Sequence, residues 1–132
     1  MPEAAAELLD LSRRLLAAIT SGDWQAYRAL VADDVTCFEP EARGHLVEGL
    51  PFHEHYFKLG AGRPTAAALT TTLAAPHVRF LSADAAVVSY VRLTQKLDDA
   101  GRPVTTAVEE TRVWQRAANG WKHVHFHRSL PG

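Results

Sequence analysis

The chain has 132 residues, of which 47% are hydrophobic and 22% charged, with 14 Lys+Arg against 15 Asp+Glu and a formal net charge of −1. This is the composition of one globular domain, spanning residues 1–132, and it argues against a disordered, collagenous or coiled-coil chain. The near-neutral balance supplies no global field to attract a nucleic-acid backbone or an anionic membrane, so neither is expected as a partner.

The elements follow in chain order. Leu8, Leu11, Leu15 and Ile19 recur at helical spacing, widened by Leu9 and Leu16, with Arg13 and Arg14 pointing away. Ser21-Gly22-Asp23 stops this helix and caps a second, carrying Trp24, Tyr27, Leu30 and Val31. The pattern becomes extended from Val35, with Pro40 and Gly44 marking turns. Residues 50–59 predict a third helix with Pro51 at its start, and 60–64 a loop. Three long runs rich in β-branched and aromatic residues, 69–81, 85–97 and 104–117, and a fourth at 121–130 read as strands. Their separators carry turn chemistry, so the C-terminal half is expected to be an antiparallel meander. Helices first and strands after give the α+β class, with N-terminal helices packed on the sheet.

Period two assigns side chains to faces. Ala86, Val88, Tyr90 and Arg92 share a face, as do Val108, Glu110, Arg112 and Trp114, and, on the last strand, Val124, Phe126 and Arg128. If these are inner faces, three guanidiniums converge on one cavity. A guanidinium stays charged and presents a fork of donors, so such a cluster is a receptor for a carboxylate or phosphate. The bland reading is that Glu110, Glu109 or another acid pairs each arginine in a structural network. Both readings stand on the residues alone.

His123, His125 and His127 alternate, which on a regular strand places all three on one face; histidines two apart on a strand can ligate zinc. No Cys pair or His-Glu-x-x-His pattern accompanies them, so no metal or other cofactor is expected. The single Cys37 cannot form an internal disulfide and stands in an extended run with no histidine partner visible in the sequence. No secretory leader or membrane-spanning run is visible, and the chain reads as soluble and cytoplasmic. For an acid–base enzyme, Tyr56, Tyr90, His53 and Glu110 are the candidate groups, although no motif fixes their spacing.

The stretches AAITSGDWQAYRALVADDVTCFEPE, TCFEPEARGHLVEGLPFHEHYF, TTTLAAPHV, YVRLTQKLDDAGRP, EETRVWQR and GWKHVHFHRS together resemble the association (hub) domain of calcium/calmodulin-dependent protein kinase II. The resemblance runs from about residue 7 to 129. It implies a cone-shaped nuclear transport factor 2-like fold, helices on a strongly curved sheet with a deep pocket. It also implies a homo-oligomer, a dimer or a ring of dimers. In the family resembled, arginines and one histidine line a pocket for small carboxylates, and the matching positions are Arg92, Arg112, Arg128 and His53. Tyr56, Tyr90 and Glu110 complete the expected ligand-binding set. Where animal hubs carry a pocket tryptophan, this chain has Ala61. The sequence contains no glycine-rich ATP loop or kinase catalytic loop, so the expectation is a stand-alone association domain binding a small organic anion. The alternative is a small enzyme of the ketosteroid-isomerase-like or polyketide-cyclase-like type working in the same pocket. Scaffolding of a separately encoded partner ranks third.

Overall fold

The computed structural model describes residues 2–60 and 69–129. Helix α1 (Pro2–Ser21) begins earlier than its apolar stripe, because the alanine-rich stretch before Leu8 consists of strong helix formers. Its Leu8, Leu15 and Leu16 are buried while Arg13 and Arg14 are exposed. Gly22, at φ +70°, supplies the left-handed turn that ends α1. The Asp23 carboxylate then accepts the Ala26 N–H at 3.1 Å and caps α2 (Trp24–Leu30). Val31, expected in the second helix, is extended and opens β1 (Val31–Phe38), consistent with its β-branched side chain. A 3-10 turn at Pro40–Ala42 and the short β2 (Val47–Glu48) lead to α3 (Pro51–Gly60). Strands β3 (Thr70–Ser82), β4 (Ala85–Leu97), β5 (Pro103–Ala117) and β6 (Gly120–Arg128) follow.

These elements form the expected α+β fold around one open six-stranded sheet of order β2-β1-β6-β5-β4-β3. The four long strands make the antiparallel meander; β1 joins its end beside β6 as a parallel pair and carries β2 antiparallel on its other edge. The main core forms where α1 and α2 cover the inner faces of β4 and β5. Leu8, Leu15, Leu16, Tyr27, Ala86, Val88 and Trp114 are shielded there from solvent. Each fully buried leucine contributes about 1.5–3 kcal/mol of burial free energy.

One local irregularity corrects the expected faces. Arg112 pairs with Phe126 and Val113 with His125, but Trp114 pairs with His123, so β6 carries an extra residue at Val124. This β-bulge puts His123 and Phe126 on the same inner side although they are three apart. His123, His125 and His127 therefore do not share a face. His123 is wholly buried, whereas His125 Nδ1 lies 2.7 Å from Thr36 Oγ1 and His127 packs beside the exposed Phe38 ring. Val124, expected to face inward with Phe126 and Arg128, is the bulge residue itself.

Candidate functional site

A cavity of about 220 Å³ opens between the inner face of the sheet and α3, with Ile19 of α1 at its edge. Arg92 of β4, Arg112 of β5 and Arg128 of β6 line it, together with His53 and Tyr56 of α3. The period-two pattern carries the first two arginines inward, and the bulge does the same for Arg128. Tyr56 is partly exposed and packs on Phe52, their ring centroids 4.9 Å apart. Tyr90 and Glu110, also expected in the site, lie in the wall behind this lining and are both buried.

That wall is a connected polar network. Glu110 accepts from Arg112 Nη2 at 3.1 Å, from Arg92 Nη1 at 3.2 Å and from the Tyr90 hydroxyl at 2.6 Å. The Tyr90 oxygen accepts Arg112 Nε–H at 2.7 Å, and Arg112 Nη1 lies 3.2 Å from His123 Nε2. A guanidinium only donates, so His123 Nε2 is the acceptor and the ring carries its proton on Nδ1, which is buried without a partner among the described residues. Arg112 also stacks on Phe126, 4.5 Å from the ring centroid. Burial alone would raise the Glu110 pKa, but the Arg112 and Arg92 charges overcome it and hold the carboxyl at about 2. Burial raises the Tyr90 hydroxyl to about 12, with Glu110 adding to the shift.

The arginines are thus not equivalent. Arg112 bonds through all three of its nitrogens, to Tyr90, His123 and Glu110. Arg92 gives one nitrogen to Glu110 and keeps Nε buried without a partner among the described residues. Arg128 donates from Nη2 to both oxygens of Glu41 at 2.6 Å, with Glu39 at 3.9 Å. Glu39 and Glu41 both line the cavity and were not anticipated; the FEPE run follows β1 directly, and only the packing of its turn against β6 brings it here. Burial raises the pKa of Glu39, with Arg128 opposing and Glu41 adding to the rise. No donor among the described residues hydrogen-bonds its carboxylate.

His53 brings together two further groups. Its Nδ1 lies 2.9 Å from Tyr27 Oη and its Nε2 lies 3.7 Å from Cys37 Sγ, so Cys37 does have a histidine partner, supplied by α3. Burial and the nearby Arg112 charge lower the His53 pKa to about 4, and burial raises the Cys37 thiol to about 12. Both are neutral near pH 7, the opposite of the thiolate–imidazolium pair that a cysteine nucleophile needs. No group of three or more His, Cys, Asp or Glu side chains among the described residues is placed to hold a metal ion. Ala61 lies outside the described residues. No helix is long and apolar enough to cross a membrane among those residues.

Residues 4–132 match the family model of the calcium/calmodulin dependent protein kinase II association domain. The chain is 46% identical over 123 residues to the calcium/calmodulin-dependent protein kinase type II alpha chain of Drosophila melanogaster, covering 93% of this chain but only 23% of that protein. Among solved structures, the CamKII hub homology domain of Chlamydomonas reinhardtii superposes with a TM-score of 0.89 at 51% identity, covering 96% of this chain and 98% of that one. An NTF2-like protein of unknown function from Pseudomonas putida, 21% identical, superposes with a TM-score of 0.79 over 99% of this chain and 89% of its own, which shows shared fold alone. With the family model matched over residues 4–132 and hub relatives about half identical over nearly its whole length, this chain belongs to the calcium/calmodulin-dependent protein kinase II association-domain family.

Proposed function

We propose that this chain is an assembly module that associates with copies of itself and holds a small organic anion, a carboxylate, in its arginine-lined cavity. Self-association rests on family membership, through the hubs and association domains this chain resembles. Anion binding rests on the state of Arg92. Two guanidiniums, Arg92 and Arg112, share the single Glu110 carboxylate, and Arg92 keeps a buried donor without a partner among the described residues. The 220 Å³ volume suits a small ligand, being below the roughly 300–1,000 Å³ of drug-sized sites.

One observation favours a second reading. Glu39 is a cavity-facing carboxylate with a raised pKa and no hydrogen-bond donor among the described residues, which are the properties of a general acid or base. Against an acid–base enzyme, Glu110 is committed to two arginines and His53 is tied to Tyr27 and Cys37.

The test is a thermal-shift screen of small carboxylates and phosphates beside light scattering on the same sample. A ligand at 100 times its dissociation constant stabilises by about 2.7 kcal/mol. A carboxylate hit lost in Arg92→Ala supports the binding reading, and turnover of that hit lost in Glu39→Gln would replace it with the enzyme reading. A complete lack of hits would leave the arginines as structural ion pairs.

A further inference from the structure

Arg92 and Arg112 take their counter-charge from Glu110, within the sheet, whereas Arg128 takes its own from a loop. Its partner Glu41 sits in the 3-10 turn Pro40–Ala42 between β1 and β2. That turn is held by two backbone bonds, Ala42 N–H to Glu39 O at 3.0 Å and His45 N–H to Ala42 O at 3.1 Å. The Arg128 and Glu41 side chains are 23% and 36% exposed, so neither is locked in the core. Both line the cavity.

Chemically, Glu41 is a carboxylate already seated on a pocket guanidinium. On the far side of the same turn lies a second hollow of about 310 Å³ that shares Glu39 and Arg128 as walls with the cavity. Glu41 does not line that hollow, but its side chain is 36% exposed, so it has solvent beside the cavity into which it can swing. An incoming carboxylate that takes Arg128 exchanges one charge-assisted bond for another, so the cost of displacing Glu41 is subtracted from its affinity.

We propose that Glu41 is an internal competitor for the anion site, occupying Arg128 in the free protein and setting the affinity with which a carboxylate enters. This inference rests on the anion-pocket reading. It makes Glu41 a specificity-determining residue, because a ligand unable to bond a guanidinium as a carboxylate does has no means of displacing it.

The experiment is a calorimetric titration with acetate, at constant pH and ionic strength, of the wild-type protein, Glu41→Gln, Arg128→Ala and the double variant. Glu41→Gln keeps the shape but removes the charge, and acetate is expected to bind about fivefold tighter, the scale of a partly exposed ion pair. With Arg128 replaced, the Glu41 substitution should change nothing, since the competition has lost its object. Arg128→Gln serves where the alanine variant melts early. Acetate binding to wild type and Glu41→Gln with equal affinity, or a gain that persists without Arg128, overturns the competitor role while leaving the pocket reading intact. Failure of acetate to bind any of the proteins overturns both.

Discussion

Glu110 and Arg112 form an ion pair at 3.1 Å with side chains that are 0% and 1% exposed. Removing one partner of such a pair strands the other charge in a low-dielectric interior, which costs more than the pair itself contributes. Glu110→Ala is expected to lower the unfolding free energy by about 3–5 kcal/mol in urea denaturation. The combined Glu110→Ala, Arg112→Met variant should recover part of that loss. A single-variant cost below about 1 kcal/mol would mean that water already compensates Arg112.

Arg92 and Arg112 should separate under substitution. Arg92→Ala, at the cavity wall with a donor that has no partner among the described residues, is expected to abolish carboxylate binding at modest cost in melting temperature. Arg112→Ala removes bonds to Tyr90, Glu110 and His123 together and should melt well below wild type. Tight carboxylate binding by Arg92→Ala would sink the assignment.

Stability should fall on mild acidification. Burial, then the Arg112 charge, lower the His53 pKa from 6.5 to about 4, and His123 shifts in the same direction. Between those values the unfolded chain binds protons that the folded chain refuses, so acid favours unfolding. This contribution is fully present above pH 6.5 and is lost as the pH falls toward 4. The stability advantage of wild type over His53→Gln should therefore shrink across that window in urea midpoints, and a constant difference would contradict it.

Deleting Val124 should remove the bulge and restore strict alternation while leaving His123, Phe126 and Arg128 on the inner face, because the residue lost is the one that pairs with nothing. Acetate affinity should therefore survive the deletion, with only the local bend and twist of β6 changed. Loss of acetate binding in a variant that still melts cooperatively would contradict this placement of the extra residue.

Light scattering at micromolar concentration should give a mass above that of one chain, as expected of a hub-family protein. A monomer mass would remove the assembly half of the proposed function.

The sequence by itself determined the elements whose signal is local. The apolar stripe of α1, the Asp23 cap, the glycine and aspartate turns and the alternation that carries Arg92 and Arg112 inward are all fixed by neighbours a few residues away. Its family motifs likewise identified the fold and the lining residues Arg92, Arg112, Arg128 and His53. Only the tertiary structure decided the bulge at Val124, because an extra residue in one strand is defined by the partner it fails to pair with. It also decided which arginine is spent and which is available. Glu41 reaches Arg128 across 87 positions of sequence, and Cys37 meets His53 from a different element. Charge pairing in a cavity depends on distances between strands, loops and helices, and one-dimensional spacing does not encode those distances.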